Sequence, residues 1–317
     1  MSSRRCRGIV LALCLAAACE RSSRTPATDS TGVTPGPTDS ATQAALNTGW
    51  NADAGAMLLV ASDAPGVAEV IFPEVTDSTF GDSTLMDLSP VRGARVSLYS
   101  RHGEAGTAIV AGEDSTATSA DSTGETCDDW PAVRLRNEGR ATPGSWTIGL
   151  ATGRAQAIPL DSIERLSRAD STRLATEVAR LASGLPDDTA RAFRGLPYSV
   201  HTVRLFRPAP GVEALVADVA RRINQEANPR EEQLLVVAER DSGRATSPWR
   251  AAYSERASGQ EGSVETHDVL GALAIGPSRR PTLVIARYVS DGVVYALLER
   301  AGAGQWRIRW ISAASGC

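Results

Sequence analysis

The chain has 317 residues, 42% of them hydrophobic, 5% aromatic and 22% charged, with a net charge of −4; that is enough apolar material for a real core and too little positive charge for a nucleic-acid footprint. All 33 basic residues are arginine. The absence of lysine excludes Schiff-base and pyridoxal phosphate chemistry, a lysine-type phosphate loop and an S-x-x-K nucleophile, because each needs an ammonium side chain.

At the N-terminus, Arg4, Arg5 and Arg7 precede an uninterrupted apolar run from Ile9 to Ala18. A bilayer span needs about 20 residues, and this run has instead the length, basic start and small-residue exit of a signal-peptide core. Ala16 and Ala18 fit an ordinary A-x-A cleavage site. The cysteine directly after the small residues, in LAAAC at 15–19, also resembles the lipobox of bacterial lipoprotein precursors, a likeness confined to residues 1–19. The resemblance implies a signal peptide over 1–18, lipidation of Cys19 as the mature N-terminus, and a protein anchored to a bacterial membrane, facing the periplasm or the cell exterior. Residues 19–45 are rich in Ser, Thr, Pro, Gly and Ala and have too little to bury to offset their ordering entropy, so they predict a disordered polar tether.

Beyond the signal and Cys19, two cysteines remain, Cys127 and Cys317. In an oxidising compartment they predict one disulfide, closing a loop of about 190 residues that the chain-entropy model values at roughly 5 kcal/mol at most. Charge is unevenly spread: residues 19–130 carry 5 Arg against 17 Asp and Glu, whereas residues 131–317 carry 25 Arg against 20 acids. The opposite signs favour one integrated body over independent domains.

Along the chain, AMLLVASDAPGVAEVIFPEV predicts two short strands around a Pro-Gly turn, and ARVSLYSRHGEAGTAIVAGED a hairpin turning at 101–106. In its first arm Val96 and Leu98 share one face and Arg95, Ser97 and Tyr99 the other, a half-exposed pattern. The recurrent DST loops read as solvated turns. AVRLR and SWTIGLATGRAQAIPL continue the β-rich part, which spans 46–160. From 161 the period changes. Ile163, Leu166, Leu174, Val178 and Leu181 recur at helical spacing, with Asp161 and Glu164 as a capping box and Gly184 as a stop, predicting a helical segment over 161–183.

After a strand at PYSVHTVRLFRP, the residues Val212, Leu215, Val216, Val219, Ala220 and Ile223 line one helical face and predict a second helix over 212–227, ended by Asn228 and Pro229. The remainder reads as strands, closing in a β-meander of PTLVIARYV, GVVYALLER and QWRIRWIS. LLVVAERDSG followed by PWRAAYSER echoes LVIARYVSDGVVYALLER, with QWRIRW after it: each has an apolar strand, a Gly-containing turn and a second strand ending in Glu-Arg, as a duplicated sheet unit would. The resulting class is α+β: mainly antiparallel sheet with two helical segments, the 161–317 part forming one body with 46–160.

Candidate chemistry is thin. Three histidines occur: His102 in the hairpin turn, His201 in phase with Val203 and Leu205 on what reads as a buried strand face, and His267 beside Asp268. No GxSxG elbow, HExxH pair or dinucleotide glycine pattern is present. In QWRIRW, Trp306, Ile308 and Trp310 share one face and Arg307 and Arg309 the other, so Arg307 and Arg309, with Arg287 from the neighbouring strand, form the candidate anion-binding surface. The sequence therefore predicts an envelope lipoprotein with a non-catalytic binding or scaffolding role, an envelope protein as partner, and no cofactor, metal or nucleic acid. The alternatives are an exported hydrolase assembled from His267, Ser263 and Asp128, and a sheet-repeat interaction module.

Overall fold

The structure, a computed structural model, describes residues 54–60, 66–114, 127, 129–139, 144–186, 191–224, 228–243, 247–290 and 292–316. The signal peptide, the tether and Cys19 lie outside the described residues, as do Asp128 and Cys317. The first strands are β1 (Met57–Val60), β2 (Val67–Ile71), β3 (Arg95–Ser100), β4 (Gly103–Glu113), β5 (Ala132–Glu138) and β6 (Ile148–Ala151). They close into an antiparallel barrel in the order β1-β2-β5-β4-β3-β6, which leaves no free sheet edge.

Two open sheets follow. Sheet I holds β7 (Ala155–Ile158), β13 (Thr266–Ile275), β14 (Arg280–Val289), β15 (Gly292–Gly302) and β16 (Gln305–Ile311), in the order β16-β15-β14-β13-β7. Sheet II holds β8 (Asp161–Ser162), β9 (Ser199–Ala209), β10 (Val212–Ile223), β11 (Arg230–Asp241) and β12 (Arg250–Gln260), in the order β12-β11-β10-β9-β8. One helix, α1 (Arg168–Ser183), precedes β9.

The parts stack in layers. Leu273, Ile275, Val284, Leu297 and Trp310 of sheet I join the barrel core of Met57, Ile71, Leu98, Ile148 and Leu150. The opposite face of sheet I, through Leu283, Ile285, Leu298 and Trp306, packs on Phe206, Val216, Leu235 and Val237 of sheet II. The far face of sheet II, through Leu215, Val219, Leu234 and Val236, is covered by Leu174, Val178 and Ala182 of α1. The central strands of both sheets are thus buried on both faces.

That burial explains the main correction. The class is mostly antiparallel β, and 212–227 is not a helix: Val212–Ile223 is strand β10. Its apolar run is nearly continuous because Ala214 and Val216 face sheet I while Leu215, Ala217 and Val219 face α1. A strand buried on both sides loses the alternation that would mark its period. The segment 161–183 is helical only in part, with β8 first, a 3-10 turn at Ile163–Arg165 and then α1. The caps are Ser162, accepting from the Glu164 amide, and Ser167, accepting from the Asp170 amide, rather than an Asp161–Glu164 box; Gly184 does close α1. β3 is not half-exposed: Val96, Ser97, Leu98 and Tyr99 are all buried between the barrel interior and neighbouring layers, and Tyr99 donates its hydroxyl to the Ala155 carbonyl at 3.0 Å.

The two sheets have the same plan, a four-strand meander with one short strand added beside its first member. Their registers also correspond. Glu239 of β11 pairs with Arg250 of β12, and Glu299 of β15 pairs with Arg307 of β16; each of those arginines follows a tryptophan, Trp249 or Trp306. The sequence echo does not follow this correspondence: it sets β11 and β12, third and fourth in their meander, against β14 and β15, second and third in theirs.

Candidate functional site

A groove of about 490 Å³ opens where the β3–β4 turn, the 3-10 turn, α1 and the start of β9 meet. It exists because β8 is only two residues long and pairs only with Arg204 and Leu205, so Ser199–Val203 of β9 has no β8 partner alongside. Arg101, His102, Arg165, His201 and Arg204 line it, with Glu164 as the one carboxylate.

Arg101 is fixed. Its Nη2 donates to both oxygens of Asp268, and its Nε donates to the Val269 carbonyl at 2.7 Å. Arg204 is different: it makes no hydrogen bond or ion pair with a described residue. Burial, and then the positive charge of Arg101, push its guanidinium below the usual arginine range. A half-buried guanidinium with no carboxylate paired to it carries a desolvation cost that an anion would offset. His201, expected in the core, is exposed and lines this groove. It sits where β9 slips register against β10, since Thr202 pairs with Asp218 but Val200 pairs with Val219. The bulge breaks its phase with Val203.

Behind the groove, the space between the sheets changes from apolar to charged. In sheet II, Asp218 and Glu255 both flank Leu235 in register; in sheet I, His267 pairs with Arg287. Residues two apart share a face, so these four continue the inward rows of Val216, Tyr253, Val269 and Ile285. Arg287 bridges the layers, donating from Nη2 to Glu255 and from Nε to Glu265. Tyr253 donates to the other oxygen of Glu255 at 2.8 Å. His267 Nε2 stands 3.3 Å from Glu265 Oε1, with the imidazole only 1% exposed. Burial pushes the Glu265 carboxyl up, but His267 and Arg287 outweigh it and hold the group below the ordinary carboxylate range. Burial dominates at Asp218 and raises its carboxyl.

The arginines singled out from sequence do not form one surface. Arg287 lies between the sheets on two glutamates, whereas Arg309 donates to Glu299 at 2.7 Å and Arg307 lies 3.8 Å from the same carboxylate. Nor do Trp306, Ile308 and Trp310 share a face. A bulge between the Leu297–Trp310 and Leu298–Ile308 pairs switches the phase, sending Trp306 toward sheet II and Trp310 toward the barrel, where its Nε1 donates to the Pro73 carbonyl at 3.2 Å. Ser263 is in the β12–β13 turn with its hydroxyl donating to the Gln260 carbonyl, so the hydroxyl is engaged locally while the buried imidazole of His267 meets glutamates.

Cys127 is disulfide-bonded; Cys317, the partner expected for it, lies outside the described residues. The functional residues missed from sequence are Arg101, Arg204, Asp218, Glu255 and Glu265. A signal existed for three of them: an aspartate in the middle of ALVADVA, and the i, i+2 pairs Tyr253-Glu255 and Glu265-His267, which a strand places on one face. Comparison with known proteins finds no matching family model, no matching curated protein and no matching solved structure.

Proposed function

We propose that this protein is an exported, lipid-anchored envelope protein whose folded body binds rather than reacts, taking a small anionic ligand in the groove at Arg101, Arg165 and Arg204. The observation that carries the binding role is Arg204, half-buried beside another guanidinium in an open groove, with no hydrogen bond or ion pair to any described carboxylate. The anchor rests on the lipobox-like LAAAC and the polar segment after it.

The pairing of Cys127 with Cys317 is part of this proposal. It is supported by the route of the chain end: Ser315 bridges to Val293, Tyr295 donates its hydroxyl to Glu69 at 3.3 Å, and Glu69 pairs with Ala132 just after Cys127. A hydrolase built on His267 has no comparable support, because the imidazole is buried among charged groups and away from open solvent.

The test is calorimetric titration with citrate and with inorganic phosphate. A charge-assisted hydrogen bond contributes about 1.5–3 kcal/mol, so Arg204→Ala weakens binding by at least roughly tenfold. Arg309→Ala, whose guanidinium already pairs with Glu299, leaves it unchanged. Equal effects of the two substitutions, or no binding of either anion, refute the groove as the site.

A further inference from the structure

We infer that the charged space between the two sheets is a site for one divalent transition-metal ion, zinc in the first instance, held by His267, Glu265 and Glu255. This site is separate from the groove and does not depend on the groove's ligand.

Three observations converge on it. The first is geometric: one ligand atom from each of these three residues lies within 4.8 Å of the others, a spread that side-chain adjustment can close onto an ion bound at about 2.0–2.2 Å. The second is unmet hydrogen bonding. Both ring nitrogens of His267 lack a hydrogen bond although the side chain is 1% exposed, since the contact with Glu265 has ion-pair distance but not hydrogen-bonding geometry. The inward-facing Asp218 Oδ1 and Gln233 Oε1 are also buried without a partner. Orphaned buried polar atoms are rare and each calls for a partner, of which a bound ion is one.

The third observation is charge. Glu255 and Glu265 both pair with the same guanidinium, that of Arg287. Two carboxylates sharing one guanidinium leave negative charge that a cation would offset. Arg287 and Tyr253 then act as outer partners, each holding a ligating carboxylate in place, as such shells do at known metal centres. The mixed imidazole and carboxylate donor set favours zinc and its neighbours over calcium or magnesium.

The experiment is zinc uptake by the full-length protein, stripped with EDTA and equilibrated with zinc chloride, read by elemental analysis; cobalt(II) absorption of the same protein supplies a spectroscopic readout. The expected result is about one zinc per chain, with an intense visible cobalt band. Uptake is lost in His267→Gln and in Glu265→Gln, both checked by circular dichroism in EDTA for an intact fold. It persists in the double variant His102→Ala/His201→Ala, which removes the exposed histidines. Absence of zinc from the wild type overturns the inference. Uptake that follows His102 and His201 instead overturns it in favour of adventitious surface binding.

Discussion

Removing the carboxylate of Glu232 tests the layered packing at its most sensitive point. Glu232 is fully buried beneath α1, and its Oε1 accepts from Arg221 Nε at 2.7 Å and from the Tyr198 hydroxyl at 2.6 Å, with Arg256 Nε 3.4 Å away. The Arg221 side chain is only 5% exposed and lies 4.7 Å over the Tyr198 ring. Glu232→Ala therefore removes the carboxylate at 2.7 Å from a buried guanidinium. Breaking a buried pair from one side costs about 3–5 kcal/mol, which in a body of this size lowers Tm by roughly 6–20 °C. Urea unfolding measures the loss. Arg221→Met combined with Glu232→Leu recovers most of it, because well-packed apolar residues can replace a buried ion pair at little cost. A second readout is Tyr198, whose hydroxyl is pushed up to about 12 by burial and then by Glu232; in Glu232→Ala its ionisation, followed by tyrosinate absorbance, moves down. A stability loss below about 1 kcal/mol refutes the view that this carboxylate holds the buried guanidinium.

Glu239 sets an acid limit. Burial raises its carboxyl, but hydrogen bonds from Arg300, the Gly304 amide and Trp306 outweigh burial and hold it below the ordinary value of 4.5. Its contribution is therefore fully present above pH 4.5 and is lost as pH falls through the lowered folded value; urea midpoints between pH 6 and pH 3, about neutral to acid, drop less steeply in Glu239→Gln. Gly292 has φ of +146°, and a Cβ there would stand 1.9 Å from the Ser315 carbonyl oxygen. Gly292→Ala thus displaces the terminal segment from β15, read as faster amide exchange at Val293 and Ser315 with the barrel amides unchanged; equal exchange in both proteins refutes the close approach. The intact, unreduced mass of protein recovered from the native membrane fraction shows a chain starting at Cys19 with added acyl groups and two hydrogens fewer than the dithiol. A full-length, reduced chain found only in the cytosol removes anchor and disulfide together.

Much of the sheet structure was legible. The hairpin around His102 and the meander that became β14, β15 and β16 follow from alternation and Gly-containing turns. The strand β10 was not, because burial on both faces fills every position of ALVADVA except Asp218 with small or apolar residues, and such a run fits helical and extended templates alike. Bulges account for two further errors. One at Asp218–Val219 turned His201 outward, and one at Leu297–Leu298 separated Trp310 from Trp306; a single extra residue inverts every facing assignment beyond it. The groove was illegible for another reason, since its arginines come from segments more than a hundred positions apart, Arg101 and Arg204, and become neighbours only when the barrel and sheet II are both in place.

The short strands β7 and β8 are consecutive in the chain yet belong to different sheets, and the consequence is temporal. β8 meets its partner β9 within about fifty residues, but β7 must wait for β13, whose first paired residue, Ala272, lies beyond the whole of sheet II. Sheet II can therefore close by local contacts while Ala155–Ile158 remains an unclaimed edge. That edge is four residues long, too short to template a stable foreign strand. The late arrival of β13 then acts as a latch: sheet I cannot seal against the barrel until nearly the entire chain is available, so a chain cut before β13 leaves the barrel core uncovered where Leu273, Val284, Leu297 and Trp310 would lie.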